Sequence, residues 1–414
     1  MRILYFHQHF TTPDGATGTR SYEMARHLVA RGHEVTMVCG SSKGSHTGAT
    51  GEPAGGVRRG EVDGIRVVEI SVPYSNYDSL ARRAAAFLQF AWRSIAVARH
   101  HEYDLLFATS TPLTAAIPGI AMRVLKPYRP FVFEVRDLWP ELPRAMGMRN
   151  PLLLGGMSLL EKLAYLSMRG GVALSPGIGE GMRRRSPART PIAMVPNGCD
   201  LELFRPDSGG DATGLPEGFP RDGLRCVFTG AHGLANGLDA VLDAAKVLRA
   251  RGRKDIHLVF VGDGKLKPGL VARKEREGLD NCYFFGPLPK TQLPAVMGQT
   301  DVGLMILANI PAFYYGTSPN KFFDYIATGL PVVNNYPGWL AEMITANGCG
   351  LAVAPERPDL FADALIALAD DPGRRRAMGL QARALAEREF DRRVLAERFA
   401  GFLEACGRNE RSAG

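Results

Sequence analysis

Ser318-Pro319-Asn320-Lys321-Phe322-Phe323-Asp324-Tyr325-Ile326-Ala327-Thr328-Gly329-Leu330-Pro331-Val332-Val333 reads as a helix start, a short helix and a buried strand. Ser318 is a capping residue type, and Pro319 suits the first helical position, where its missing N–H costs nothing. Phe322, Tyr325 and Ile326 fall on one face at helical spacing. Gly329 ends the helix, and Leu330-Pro331-Val332-Val333 opens an extended run. A helix start carries unpaired N–H groups and partial positive charge, so it can hold a phosphate. Lys321 adds a cation one turn in, and Asp324 is an acceptor able to bind sugar hydroxyls. The set suits a nucleoside diphosphate with its ribose. An amphipathic helix whose Lys321 and Asp324 simply face water is the other reading of the same residues.

Upstream, the pattern of strand, Gly-rich loop and helix repeats. Arg225–Gly230 reads as a strand, Ala231–Gly237 as a loop of small residues, and Leu238–Leu248 as a helix. Small residues let backbone approach a phosphate, and the helix start supplies donors. His232 lies in that loop. Strands follow at His257–Val261, Tyr283–Phe285 and Asp301–Met305. An irregular stretch from Ala308 to Gly316 offers Phe313, Tyr314 and Tyr315 as a cover for a ligand. The C-terminal part reads as helices over 358–369, 372–390 and 392–406, the last crossing back onto the first domain. The residues from Gly407 to Gly414 read as a disordered tail.

The N-terminal half has the same logic. Arg2–Phe6 is a strand, Thr11–Arg20 a Gly/Thr loop, Ser21–Ala30 a helix and Glu34–Cys39 a strand, one half of a doubly wound fold. That loop lacks G-x-G-x-x-G spacing, which argues against a dinucleotide cofactor. Residues 40–60 are rich in Gly and Ser and read as a mobile segment. A helix from Ser79 to Arg99 turns Leu80, Ala84, Phe87, Leu88, Ala91, Ile95 and Ala98 to one side. It reads as packed on the sheet, or as an interfacial helix against anionic lipid. Pro130–Val135 is a core strand that delivers Arg136 and Asp137 to the carboxyl edge of the sheet, where α/β folds bind ligands.

The 414 residues, 45% hydrophobic and 22% charged, are enough for two soluble domains. No apolar run approaches the ~20 residues of a membrane span, and the N-terminus reads as a strand rather than a signal peptide, so a cytoplasmic location is expected. The six cysteines have no metal or redox spacing. Residues 1–207 hold 25 Lys+Arg against 18 Asp+Glu, a net +7, while the remainder holds 25 against 24. A basic half points to an anionic partner. No nucleic-acid-binding motif is present.

Taken together these stretches resemble retaining glycosyltransferases of family 4, over nearly the whole chain. The resemblance implies an α/β chain of the GT-B fold, two Rossmann-like doubly wound domains facing across a cleft. It sets an acceptor-side domain at 1–205, a linker at 206–222, a nucleotide-sugar domain at 223–390, a returning helix at 391–406 and a tail at 407–414. The turn Pro196-Asn197-Gly198-Cys199-Asp200 matches the family's domain junction, and Val261-Gly262-Asp263-Gly264 its segment beside the nucleotide. Asp324 stands where the family's ribose-binding glutamate does. The family's first glutamate, eight residues earlier, is replaced by Gly316, which leaves the backbone of Gly316, Thr317 and Ser318 for the donor sugar. The loop cation of many members is replaced by Asn236 before Gly237, so Lys321 and Arg136 are expected to compensate.

The resemblance thus implies catalytic roles for Arg136, Asp137 and Lys321. It implies donor contacts at Gly15, Gly18, Arg20, Gly230, Asn236, Gly237, Pro287, Leu288, Gly316, Thr317, Ser318, Pro319, Asn320 and Asp324. No D-x-D motif is present, so no metal and no cofactor are expected beyond a UDP-sugar donor substrate. Gly15–Arg20, Glu134–Glu141 and Ser318–Lys321 are similar to transferases of the L-fucosamine and colanic-acid type, which act in O-antigen and other surface-polysaccharide assembly. That similarity implies a UDP-linked N-acetylamino sugar as donor, a polyprenyl-diphosphate-linked sugar as acceptor and peripheral contact with an anionic membrane at its inner face. Two other readings stay open. One is a UDP-sugar epimerase of the same architecture, and the other a non-catalytic nucleotide-binding partner of a polysaccharide assembly complex.

Overall fold

Short runs of β-branched and aromatic residues become buried parallel strands, and the amphipathic stretches between them become covering helices. The computed structural model describes residues 1–15, 18–42, 46–75, 78–206 and 214–408. Part of the expected linker (207–213), Ala16 and Thr17 of the Gly15–Arg20 stretch, and the end of the expected tail (409–414) lie outside the described residues. By their contacts the residues form two units. One is Met1–Pro196 with Gly316–Ser318 and Arg393–Gly414; the other is Asn197–Tyr315 with Pro319–Arg392.

The first unit runs β1 (Arg2–Phe6), α1 (Arg20–Ala30), β2 (Glu34–Ser42), β3 (Ala49–Ala54), β4 (Val57–Val62), β5 (Ile65–Tyr74) and α2 (Leu80–His100). It continues through β6 (Leu105–Thr109), α3 (Ile117–Leu125), β7 (Phe131–Val135), α4 (Glu141–Ala145), α5 (Pro151–Ser167), β8 (Gly170–Ala173), α6 (Pro176–Arg185) and β9 (Ile192–Met194). Its sheet has the order β3-β4-β5-β2-β1-β6-β7-β8-β9. From β5 to β9 all neighbours are parallel. Phe90, Met122, Tyr165 and Met182 from α2, α3, α5 and α6 share one core with Leu4, Phe6, Leu106 and Phe133, so these four helices cover the same sheet face.

The second unit runs β10 (Leu224–Thr229), α7 (Asp239–Ala250), β11 (Ile256–Val261), α8 (Lys267–Glu277), β12 (Cys282–Phe285), α9 (Leu293–Met297), β13 (Val302–Met305) and α10 (Pro311–Gly316). Then come α11 (Asn320–Thr328), β14 (Val332–Asn334), α12 (Trp339–Ala346), β15 (Gly350–Ala352), α13 (Pro358–Asp370) and α14 (Pro372–Glu389). The sheet order is β12-β11-β10-β13-β14-β15, with every pair parallel. The last helix, α15 (Arg392–Gly407), counts with the first unit from Arg393 on. No helix among the described residues is long and apolar enough to cross a membrane.

Four expectations need correction. Residues 40–60 are not simply a mobile segment: β3 turns through Gly55-Gly56 into β4, which turns through Asp63-Gly64 into β5, an antiparallel edge on the parallel sheet. Both central residues of each turn have positive φ, from +48° to +75°, which is the two-residue hairpin geometry that Gly-Gly and Asp-Gly favour. The stretch from Ala308 to Gly316 is not wholly irregular, because it contains α10 with Phe313 buried. Tyr314 and Tyr315 of α10 give their hydroxyls to Asn309 and Glu342.

The buried side of α2 is Ala86, Phe90, Ala91, Ser94 and Ala98, while Leu80 and Leu88 face outward. The expected apolar side is therefore rotated, because small residues let the helix lie close to the sheet and Phe90 fills the remaining space. Ser318 does not cap α11. Pro319 holds the N-cap place with extended backbone and makes no side-chain cap bond. Its carbonyl instead accepts the Phe322 N–H at 3.2 Å.

Candidate functional site

In the second unit β10 lies between β11 and β13, so the connections after β10 and β13 part at its carboxyl end. Open α/β sheets bind ligands at such a switch point. Two strand ends meet there backbone to backbone. Gly262 has φ +150°, and a Cβ on it would stand 1.9 Å from the Gly230 carbonyl oxygen. Gly264 packs on His232 in the same way, 2.6 Å from its carbonyl oxygen. The loop after β10 is thereby pressed down, and its far end is fixed by Gly237, whose Cβ would meet the Ala308 backbone at 2.8 Å.

Lys321, in the first turn of α11, crosses this floor. A Cβ on Gly230 would touch its Cε at 3.3 Å. The Nζ donates to Asn236 Oδ1 at 2.7 Å, and Asn236 Nδ2 in turn donates to the Ala231 carbonyl at 2.7 Å. The same Nζ sits 4.2 Å from the centre of the Phe228 ring. Burial lowers its pKa from the ordinary 10.5 to about 7. The structure therefore brings together Gly230, Asn236, Gly237 and Lys321. The cation absent from the loop sequence reaches the loop from α11. Asn320 and Pro319 begin that helix, whereas Gly316, Thr317 and Ser318 count with the first unit.

Asp324 lies on the next turn and is 6% exposed. Its Oδ1 is 3.7 Å from Lys290 Nζ. Burial pushes its carboxyl up, against the pull of Lys290 and Arg392. Sequence reading passed over Lys290, which follows Pro289 with no motif to mark it. Pro287 is exposed and Leu288 partly so, in the coil after β12. His232 is fully buried among Phe228, Phe260 and Phe284, with ring centres 6.0–6.3 Å apart. Neither of its ring nitrogens has a hydrogen-bond partner among the described residues, and burial lowers its pKa to about 4. It is a neutral ring in the floor of the loop.

In the first unit β1 holds the corresponding place between β2 and β6. Arg136 and Asp137, just past β7, are held by the end of β6 rather than by each other. The Arg136 N–H donates to Ser110 Oγ at 2.8 Å, and Thr111 Oγ1 donates to Asp137 Oδ2 at 3.1 Å. Thr111 adopts φ +89°, a strained backbone for a β-branched residue. The Arg136 guanidinium lies 3.5 Å from His7 Nε2. Burial, then Arg136 and His9, hold the His7 imidazole well below its usual pKa. Burial raises the Asp137 carboxyl, while Arg136 and Thr111 pull it down. His7, Ser110 and Thr111 were missed in the sequence. Their signal was position alone, directly past β1 and β6.

Arg20 is not available to a donor. It is 5% exposed, and its guanidinium donates to Glu134 Oε2 at 2.7 and 3.1 Å, to the Pro196 carbonyl at 2.7 Å and to the Val195 carbonyl at 2.8 Å. Burial pushes Glu134 up, but Arg20, Arg136 and the Thr109 hydroxyl hold it below the usual carboxylate range. Arg20 thus braces β7 and the chain after β9 from inside. Gly15 packs on Thr11, whose Oγ1 would stand 2.1 Å from an added Cβ; Gly18 is partly exposed. Among the described residues no three His, Cys, Asp or Glu side chains gather as a metal site requires.

Residues 15–198 match the glycosyl transferase 4-like domain, and residues 223–371 match the glycosyl transferases group 1 domain. A GDP-mannose-dependent monoacylated alpha-(1-6)-phosphatidylinositol monomannoside mannosyltransferase of Corynebacterium glutamicum is 27% identical over 219 residues, 51% of this chain and 55% of that one. A D-inositol 3-phosphate glycosyltransferase of Xylanimonas cellulosilytica is 29% identical over 214 residues, 48% of this chain and 47% of that one. The chain thus spans about half the length of these curated relatives. Among solved structures, sucrose-phosphate synthase of Thermosynechococcus elongatus superposes with a TM-score of 0.75 at 16% identity over 98% of both chains. The Anabaena protein HepE in complex with UDP gives 0.68 at 18% identity, over 98% of this chain and 100% of that one. These likenesses establish the fold, which is GT-B.

Proposed function

We propose that this chain, built of a glycosyl transferase 4-like domain and a glycosyl transferases group 1 domain on the GT-B fold, is a retaining glycosyltransferase. It moves a sugar from a UDP-sugar to a lipid-linked saccharide in surface-polysaccharide assembly, the sugar being an N-acetylamino sugar. The observation that carries the reading is Lys321 Nζ at 2.7 Å from Asn236, over a loop floor that only glycines permit. A diphosphate laid there meets the N–H groups of the α11 start and an ammonium, and both neutralise the charge that grows as the nucleotide departs. Asp324 receives the ribose, and the coil at Pro287 and Leu288 receives the base. The acceptor hydroxyl attacks the anomeric carbon on the face the diphosphate leaves. Its proton passes to the departing phosphate oxygen, so no metal is needed. Within the first unit, Arg136 and Asp137 are the pair given catalytic roles in this reading.

The mannosyltransferase relative supports a second donor, GDP-mannose. Titration of UDP and GDP into the protein decides between them, the tighter binder naming the base. Transfer from the matching sugar to lipid-linked saccharide acceptors is then followed in EDTA. In Lys321→Ala turnover is expected to fall at least ~10²-fold, as on loss of one charge-stabilising donor. Near-normal turnover in that variant, or transfer that stops in EDTA, defeats this reading.

A further inference from the structure

Asp324 stands where a carboxylate tends to lose its charge. Its side chain is 9% exposed, and burial of that kind favours the neutral acid. Three charged side chains of the second unit act on it: Lys290, Arg392 and Asp200. Arg392 donates to Asp200 Oδ2 at 3.0 Å. That pair pulls Asp324 in opposite directions, so its two effects offset each other. The net pull comes from Lys290, whose Nζ is 3.7 Å from Asp324 Oδ1. This ammonium is fixed in turn. Its side chain is 12% exposed, and Nζ lies 5.6 Å from the centre of the fully buried Phe204 ring, within cation–π range. Its backbone opens the short turn that leads into α9.

The other titratable groups around α11 are committed elsewhere. Lys321 reaches Asn236, and the Tyr325 hydroxyl takes the Thr229 N–H at 2.9 Å. Arg383 of α14 donates to the Phe204 and Ala327 carbonyls at 2.9 and 2.6 Å. The buried Cys199 thiol donates to the Phe323 carbonyl at 3.2 Å and is kept neutral, burial and Asp324 both pushing its pKa up. The charge on Asp324 decides what it can bind. An ionised carboxylate accepts at both oxygens, whereas the acid gives one of them up to a proton. Ribose hydroxyls donate, and their bonds to a charged acceptor are roughly twice as strong as to a neutral one.

We propose that Lys290 is a positioning residue: from its seat on Phe204 it keeps Asp324 an anion, and so sets how strongly the site prefers a nucleotide with both ribose hydroxyls. The inference rests on Asp324 receiving the ribose, and the test separates the two. Isothermal titration compares UDP with 2′,3′-dideoxy-UDP, and GDP with its dideoxy analogue, from about pH 5 to about pH 9. Lys321 meets the diphosphate of both members of a pair, so its own titration cancels in their ratio. At the upper end the wild type is expected to prefer the ribonucleotide about tenfold or more, charged contacts to two hydroxyls being lost in the analogue. Asp324→Asn is expected to lose most of that preference at every pH. In Lys290→Gln and Lys290→Met, which keep the length of the side chain without its charge, the preference should be lost at a higher pH than in the wild type and return as pH rises. Lys290→Arg, which keeps the cation, should follow the wild type. A merely structural role would weaken both ligands alike and leave the pH course of the ratio unmoved. Either neutral variant that folds, as circular dichroism shows, is sufficient. A preference that survives in Asp324→Asn, or is absent from the wild type, removes the ribose from Asp324 and the inference with it. A preference that depends on Asp324 but has the wild-type pH course in the neutral Lys290 variants overturns the inference alone.

Discussion

Lys321 is an ammonium that no carboxylate among the described residues pairs with; its neighbours are an amide oxygen at Asn236, an aromatic ring at Phe228 and glycine backbone. Burial there favours the neutral amine, hence the fall to about 7 from 10.5. Between those values the unfolded chain holds the proton and the folded chain releases it. This side chain therefore costs the native state stability at pH below about 7, and that cost is relieved as pH rises through the window. Binding runs the other way. A diphosphate needs the charged form, so UDP affinity is expected to be level below about pH 7 and to fall above it. The fall approaches about tenfold per pH unit, one proton being taken up on binding. Isothermal titration across buffers of different ionisation enthalpy measures that proton directly. In Lys321→Arg, whose charge does not titrate here, the fall should vanish. An affinity flat with pH in the wild type, or an equal fall in the arginine variant, removes Lys321 as the titrating group.

Elements hold this residue by close packing of backbone, and that packing can be tested. In Gly262→Ala the new methyl would lie 1.9 Å from the Gly230 carbonyl at a φ of +150°. The strand ends must part, at a cost of about 1–3 kcal/mol, and the loop under Lys321 moves with them. Lower stability in denaturant and weaker UDP binding are expected together. Gly269→Ala, in open space on α8, should leave UDP binding unchanged and stability the same or higher. Equal behaviour of the two variants would show that the contact has no influence. This contact was only half legible in the sequence. Val261-Gly262-Asp263-Gly264 announces a turn after a strand, but not that it rests on Gly230. Strands such as β6, β7 and β11 were plain because buried parallel strands are unbroken apolar runs. The β3–β4 ribbon was missed because its strands are mostly exposed and lack such runs, although Gly55-Gly56 and Asp63-Gly64 carried the turn signal.

At the scale of the molecule, the two sheets were legible as a repeated order of strand, glycine loop and helix, since each unit needs its own apolar layer. The partners of Asp324, Arg136 and Arg20 were not, because Lys290, Ser110 and Glu134 come from distant parts of the chain, and topology rather than spacing brings them near. Each sheet has a separate core, and α15 completes the first one. Phe399 of α15 is fully buried, its ring 5.0 Å from Phe107 and nearly perpendicular to it, with Leu395 and Leu403 buried beside it. At its surface Glu404 takes Arg31 and His33. The diphosphate site proposed at Lys321 and Asn236, by contrast, lies within the second unit. The two perturbations should therefore separate in calorimetry. Phe399→Ala is expected to lower the first unit's transition, losing about 3–5 kcal/mol of packing. UDP at about a hundred times its dissociation constant should raise the other by about 2.7 kcal/mol, because ligand binds only the native unit. UDP acting on the Phe399-sensitive transition would move the nucleotide to the first unit. A single transition shifted by both would show that the cores melt together.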